Sequence, residues 1–235
     1  MSQLCGLSEE EIYRELKGVI FLNPVYGYGG GREEKYLPAD EYLSGNVREK
    51  LEWARRSAQL HPEDYTANVE ALEKAQPKDL DASEIDVRLG ATWIDKGYIQ
   101  QFMEETFDPP YYLRRDIRVN FSEYTAEWNI TGKSAVGYGN INASMTYGTE
   151  RANAYKILEE TLNLRDIRIY DTKVDADGKE KRVLNSKETT LAQQKQQAIK
   201  DAFQEWVWKD PDRREALVRK YNDLFNSTRP REYDG

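Results

Sequence analysis

Cysteine and histidine occur once each in this sequence, and their scarcity excludes several kinds of site. Cys5 has no second cysteine to pair with, which excludes an internal disulfide framework and favours a reducing compartment. His61 lies far from Cys5 in sequence, so no zinc-ligand spacing is recognisable. A serine triad would have to use His61, and the sequence has no Gly-x-Ser-x-Gly nucleophile elbow. We therefore expect neither a metal centre nor hydrolase chemistry of these types.

The sequence also lacks long apolar runs. No stretch approaches the roughly 20 apolar residues of a membrane-spanning helix, and Met1–Leu7 has no basic region followed by an apolar segment. Hydrophobic residues make up 39% and charged residues 32%, and 16 tyrosines supply buriable area despite a mean hydropathy of -0.86. We expect a cytoplasmic globular chain, without a membrane partner, that forms one large domain or two small ones.

Charge is unevenly distributed along the chain, whose formal net charge is -8. Residues 1–108 contain 12 Lys and Arg against 22 Asp and Glu, whereas residues 109–235 contain 22 against 20. An acidic surface repels a phosphate backbone, so nucleic-acid contact is expected from the second portion or from neighbouring regions of a longer protein. The acidic portion needs no partner to explain it, because solvated helices commonly carry such charge.

Residues 1–108 are predicted to be mainly helical. Ser8 and Glu11 form a capping box that starts a helix ending near Gly18. Asn46 is predicted to cap a helix with one apolar face, the spacing of a helix that packs on a core. That face comprises Val47, Leu51, Ala54 and Ala58. Other predicted elements are a strand at 19–22, a turn at 26–31, and helices near 40–45, 65–75, 82–89 and 99–103.

Residues 109–235 are predicted to form antiparallel hairpins packed with helices. Period-two alternation at 117–121 is answered by 127–130 across a turn. A second hairpin pairs 167–170 with 182–184 across a glycine-containing turn. Other predicted elements are a third strand at 141–145, helices at 149–162, 186–209 and 211–225, and a polar linker at 228–235. The predicted fold class is α+β, with a helical acidic subdomain at 1–108 and a hairpin-plus-helix subdomain at 109–235.

The run Asp108-Pro109-Pro110-Tyr111 matches the signature of amino-methylating DNA methyltransferases. In such enzymes the acidic side chain and prolyl backbone accept hydrogen bonds from the target amino group, and the aromatic ring stacks on the flipped base. The one candidate loop for S-adenosylmethionine, at 26–31, lacks the acidic residue expected about 20 positions later and an alternating βαβ pattern. Ending a helix is the simpler role for Asp-Pro-Pro, and a degenerate methyltransferase stays an alternative.

Two further short motifs are incomplete. Thr131-Gly132-Lys133-Ser134 resembles the end of a phosphate-binding loop, but Glu127 occupies the position of the required earlier glycine. ATP binding here is therefore not expected. Asp171-Thr172-Lys173 resembles half of a magnesium-dependent nuclease site, but no partner carboxylate upstream is identifiable. A nuclease fragment is kept as a further alternative.

One basic and aromatic cluster is the candidate for DNA contact. It consists of Tyr111, Tyr112, Arg114, Arg115 and Arg118, with Lys133 added after the first hairpin. Arginines can bind phosphates while tyrosine rings stack on bases. The opposing interpretation is an aromatic core with arginines at its rim.

Several longer runs resemble one family of large proteins. These runs are 35–37 (KYL), 39–51 (ADEYLSGNVREKL), 88–94 (RLGATWI), 146–149 (TYGT), 188–193 (ETTLAQ), 208–211 (WKDP) and 225–235 (FNSTRPREYDG). They are similar to the DNA methylase/helicase proteins of bacterial conjugative elements and phages. Those proteins join an N6-adenine methyltransferase region to a Swi/Snf-like superfamily-two helicase. Asp-Pro-Pro-Tyr is not a feature of that family at this place.

The resemblance implies a connecting region between methyltransferase and motor, ending shortly before the phosphate-binding loop of the helicase. It further implies that ATP, magnesium and S-adenosylmethionine bind only in flanking regions, so this stretch carries no cofactor and no catalytic residue. We expect a non-catalytic accessory domain that positions DNA or couples the methyltransferase to the motor. The alternative partners are those flanking regions themselves, bound by a protein-interaction module without DNA affinity.

Overall fold

The computed structural model of the chain describes residues 6–27, 33–135, 139–175 and 178–232. Helices dominate these residues and the strands form small antiparallel pairs, which confirms the predicted α+β class. The helices are α1 (Glu9–Glu15), α2 (Ala39–Tyr42), α3 (Val47–Leu60), α4 (Pro62–Ala75), α5 (Lys96–Phe107), α6 (Ala154–Leu162), α7 (Ser186–Lys209) and α8 (Pro211–Phe225), with a π-helix at Asn142–Thr146. The strands are β1 (Ile20–Leu22), β2 (Tyr36–Pro38), β3 (Gly45–Asn46), β4 (Arg118–Ser122), β5 (Glu127–Thr131), β6 (Tyr170–Val174), β7 (Glu180–Leu184) and β8 (Thr228–Arg229). Within these ranges every helix is too short or too polar to span a bilayer.

The chain divides into two compact units. The first comprises Met1–Asp81 and Val218–Gly235, and the second, the central unit, comprises Ala82–Leu217. This division differs from the predicted boundary after residue 108, because α5 packs within the central unit. There Phe102 of α5 meets Phe203 of α7 edge-on, with 5.1 Å between ring centroids. Such a contact joins segments about a hundred residues apart, so helix propensity could not reveal it.

The first unit has its core between β1, α2, α3 and α4. The predicted Asn46 cap is confirmed, since its side chain accepts a hydrogen bond from the backbone N–H of Glu49 at 3.2 Å. Most of the predicted apolar face of α3 is buried, whereas Ala58 is half-buried. Phe21 stacks on Tyr42 with 4.9 Å between ring centroids. A short strand, a one-turn helix and two long helices thus share one apolar cluster.

The described residues of the polar tail, which was predicted as a linker, pair with the rest of the first unit. Thr228–Arg229 forms β8, which pairs antiparallel with Gly45–Asn46 of β3. The guanidinium of Arg48 lies beside Asp79 and donates from Nε to the carbonyl oxygen of Asn226 at 3.0 Å. Backbone pairing and this arginine hold the end of α8 within the same unit as α3. The polar composition of the tail did not reveal this pairing, because those polar groups form hydrogen bonds with the rest of the first unit.

Two predicted elements of the central unit are wrong. Residues 82–89 form turns and extended chain instead of a helix, and Ile85, Val87 and Leu89 are buried alternately. Residues 141–145 form part of a π-helix instead of a third strand. Asn140 starts that helix, because its Oδ1 accepts from the N–H of Ala143 at 3.0 Å. In the first segment the period-two burial excludes the predicted helix, and in the second the capping amide of Asn140 favours a helix over the predicted strand.

Tyr42 gives the first unit a dependence of stability on pH. Its side chain is 1% exposed, and its hydroxyl accepts a hydrogen bond from Asn68 Nδ2 at 2.9 Å. Burial raises the pKa of Tyr42 from 10.0 to about 12. The stability that the neutral Tyr42 hydroxyl contributes is complete below its pKa in the unfolded chain. It is lost as the pH rises through its pKa in the folded protein. Since one pKa unit corresponds to about 1.4 kcal/mol, the free energy of unfolding should fall by about 3 kcal/mol above about pH 10. Urea unfolding of wild type and Tyr42→Phe between about pH 10 and about pH 12 measures this loss of stability. Parallel pH profiles of the unfolding free energy for the two proteins would contradict it.

Candidate nucleic-acid interface

The Asp-Pro-Pro-Tyr segment ends α5. Asp108 follows the helix in the left-handed region, with φ 44°. Asn140 Nδ2 donates to the carbonyl oxygens of Phe107 and Asp108, at 2.9 and 3.2 Å. Pro109 is buried behind this turn, while the carboxylate of Asp108 accepts from Arg114 Nη2 at 3.3 Å. The segment therefore performs the simpler of its two predicted roles, and its acidic side chain is occupied by an arginine.

Tyr111 and Tyr112 lie at the protein surface. Their side chains are 85% and 64% exposed, and their rings meet edge-on with 5.7 Å between centroids. The interpretation of these rings as aromatic core is therefore wrong. Hydrophobic surface exposed in this way is available to a partner that presents flat rings of its own.

The three predicted arginines follow these tyrosines in sequence but differ in their partners. Arg114 Nε donates to the carbonyl oxygen of Pro109 at 3.2 Å, which folds the turn back on itself. Arg118 lies 3.7 Å from a carboxylate oxygen of Glu104. Arg115 is exposed and forms no ion pair with any residue that the structure describes. We call Tyr111, Tyr112, Arg114, Arg115 and Arg118 the Tyr–Arg surface.

Lys133 lies at the same end of the β4–β5 hairpin as this surface, because the register pairs Arg118 with Thr131. Its Nζ contacts both carboxylate oxygens of Glu159 on α6, at 2.6 and 2.7 Å. Glu159 also accepts from the N–H of Ile130 at 2.6 Å. Lys133 thus ties the hairpin to α6, and a phosphate would have to compete with a carboxylate for it. Its predicted DNA contact receives less support than that of Arg115.

The carboxylate of Asp171, which would be a metal ligand in the nuclease alternative, accepts hydrogen bonds from two side chains. Arg151 Nη1 and Asn185 Nδ2 each lie 2.8 Å from one of its carboxylate oxygens. These hydrogen bonds, from Arg151 first and Asn185 second, lower the pKa of Asp171. In the described part of the chain, Asp171 belongs to no group of three potential metal ligands. The nuclease alternative therefore gains no ligand set here.

Sequence reasoning missed a second basic surface, on the β6–β7 ribbon. The register sets Lys173 directly opposite Lys181, and both side chains are exposed. Arg182, one position along, lies over the Tyr170 ring with 4.8 Å between guanidinium carbon and ring centroid. The missed signal is the absence of apolar alternation across 171–182, which is typical of strands that face water on both sides.

The comparison with known families concerns most of the central unit. A family model described as a domain of unknown function, DUF8437, matches residues 88–227, more than half of the chain. The chain belongs to the DUF8437 family. The matched region includes the Tyr–Arg surface, Lys133 and the β6–β7 ribbon, so every candidate contact belongs to it. No curated protein and no solved structure matches the chain.

A second family model matches residues 1–29, ahead of the DUF8437 region. It is described as a probable helicase, winged helix domain. The described residues of this segment hold α1, whose predicted capping box from Ser8 is confirmed, and β1. The described residues of this segment contain one helix, whereas a helix-turn-helix has two. The candidate S-adenosylmethionine loop at 26–31 overlaps the end of this segment, and its residues 28–31 lie outside the described ranges.

Proposed function

We propose that this chain is a non-catalytic accessory module of a helicase, and that it binds nucleic acid through the Tyr–Arg surface. The observation that carries the proposal is the pair of exposed rings, Tyr111 and Tyr112, followed in sequence by Arg115, which forms no ion pair among the described residues. Stacking of a base on an exposed aromatic ring is worth about 1–3 kcal/mol. The helicase context comes from the winged-helix match at residues 1–29.

The finer assignment is a connecting domain between an adenine methyltransferase and a Swi/Snf-like motor. It rests on the similarity of long runs such as 39–51 and 225–235 to such proteins. In this proposal the module positions DNA or couples methyltransferase to motor, while ATP, magnesium and S-adenosylmethionine bind in flanking regions. The natural neighbouring sequence tests it, because adenine-methylase motifs should precede this segment and helicase motifs should follow it.

Binding of labelled oligonucleotides to the full chain tests the nucleic-acid contact. At about 50 mM salt we expect binding that weakens by tenfold or more at about 200 mM, because phosphate contacts release counterions. Replacing Tyr111 and Tyr112 by alanine should weaken single-stranded binding about tenfold, which corresponds to about 1.4 kcal/mol. Replacing Arg114, Arg115 and Arg118 by alanine should lower affinity and also flatten the salt dependence.

Matched controls are available on the same chain. Tyr124 is 99% exposed in the β4–β5 turn, so Tyr124→Ala removes an equally accessible ring away from the arginines. Arg55 and Arg56 are exposed on α3, and their replacement removes positive charge from the first unit. Equal losses in these controls would contradict a specific surface. Absence of any binding at low salt would overturn the proposal, and binding to separately supplied motor or methyltransferase regions would then favour the protein-interaction alternative.

A further inference from the structure

The outer part of the β6–β7 ribbon is in contact with water on both faces. Residues 172–174 of β6 and 180–182 of β7 are all exposed. A two-stranded ribbon without a packed face is marginally stable in water. Here the base supplies the support, because Arg151 Nη2 donates to the Tyr170 carbonyl oxygen at 3.0 Å and Arg151 Nη1 binds Asp171. The ribbon is thus anchored at one end and presents its remaining length to solvent.

The side chains on one face of this ribbon repel each other. Paired residues of an antiparallel ladder share a face, so Lys173 and Lys181 project side by side. Like charges directly opposite each other destabilise a sheet. Neither ammonium group forms an ion pair with a residue in the described ranges. The pairing therefore costs the hairpin stability, which an anionic partner would return.

Three carboxylates lie on the described residues of the ribbon, and none of them forms an ion pair with Lys173 or Lys181. Both oxygens of Asp171 are bound by Arg151 and Asn185. Asp175 Oδ1 accepts from the N–H of Lys179 within the turn, at 3.0 Å. Glu180 pairs with Val174 and so belongs to the opposite face. The two lysines, Lys173 and Lys181, form what we call the lysine face.

We propose that the lysine face binds the phosphates of duplex nucleic acid, with the β6–β7 ribbon lying in the major groove. That groove is about 12 Å wide and admits a two-stranded ribbon, whose strands lie about 4.8 Å apart. Two lysines side by side match a surface in which negative charge repeats along each strand. The inference rests on the proposed function for the class of partner, and it adds a second surface and a preference for duplex over single strands.

Charge reversal at Lys173 and Lys181 separates binding from folding. Lys173→Glu sets a glutamate opposite Lys181, so it should stabilise the hairpin while lowering the affinity for a duplex of about 20 base pairs about fivefold at about 50 mM salt. Lys173→Glu with Lys181→Glu restores like-charge repulsion and should lower that affinity further, at least twentyfold. Lys96→Glu is the control for the single variant Lys173→Glu, since it makes the same change of net charge at the exposed start of α5. Hydrogen exchange of the ribbon amides reports its folding in each variant.

The outcomes distinguish this inference from the proposed function. We expect duplex affinity to fall from wild type to Lys173→Glu and again to the double variant, while single-stranded affinity changes less than twofold. This result would support the lysine face as a groove-binding element. Unchanged duplex affinity in the double variant, or equal losses on single strands, would overturn it, while the Tyr111 and Tyr112 variants still report on the proposed function. Failure of wild type to bind either probe would overturn both.

Discussion

Replacing Gly132 by alanine should destabilise the central unit by about 3 kcal/mol. Gly132 has φ +69°, a conformation that costs an L-residue about 1–2 kcal/mol. An added Cβ would also lie 2.5 Å from the carbonyl oxygen of Asp116 and 2.7 Å from its carbonyl carbon. Backbone atoms cannot rotate away as a side chain can, and such overpacking adds about 1–3 kcal/mol. The free energy of unfolding in urea, followed by tryptophan fluorescence, measures the effect.

Gly97→Ala is the matched control for this substitution. Gly97 lies in the first turn of α5, and nothing lies within 4 Å of the position of an added Cβ. Alanine is favoured over glycine in helices by up to about 1 kcal/mol, so this variant should be neutral or slightly more stable. If Gly132→Ala were as stable as Gly97→Ala, the tight turn after β5 would not be a constraint. The glycine of the Thr-Gly-Lys-Ser run would then need another explanation.

Local signals in the sequence predicted much of the fold. Ser8 and Asn46 each cap the helix they were predicted to cap, because a cap depends on residues only three positions apart. The segment 82–89 was predicted wrongly as a helix, although its buried Ile85, Val87 and Leu89 alternate with charged residues. A short apolar pattern fits either period, and only packing against the central unit decides between them.

The candidate site was predicted less well, because its chemistry depends on partners distant in sequence. The exposure of Tyr111 and Tyr112 follows from the turn that Asn140 holds, about thirty residues later. Lys133 is bound by Glu159, which reduces its availability to phosphate. The lysine face exists only in the exact register that sets Lys173 opposite Lys181. Register depends on the turn and on the anchoring of the ribbon base, neither of which composition reveals.

Phe102→Ala is expected to destabilise the central unit by about 3–5 kcal/mol, the usual cost of emptying a phenylalanine site in a core. The Phe102 side chain is fully buried, at 0% exposure, and meets Phe107, Phe203 and Trp206 edge-on at 5.7, 5.1 and 5.5 Å between ring centroids. Phe102→Leu keeps most of the volume and should cost less than about 2 kcal/mol.

Hydrogen exchange locates the effect of Phe102→Ala, because amides of α5 and α7 should lose protection while those of α3, in the other compact unit, should not. The substitution also separates scaffold from interface. α5 ends where the Tyr–Arg surface begins, but Phe102 faces the core. A Phe102→Ala protein that remains folded at low temperature should therefore bind nucleic acid as wild type does. Loss of binding in the folded variant, or loss of protection spread equally over both units, would contradict this assignment of Phe102 to the core that supports the surface.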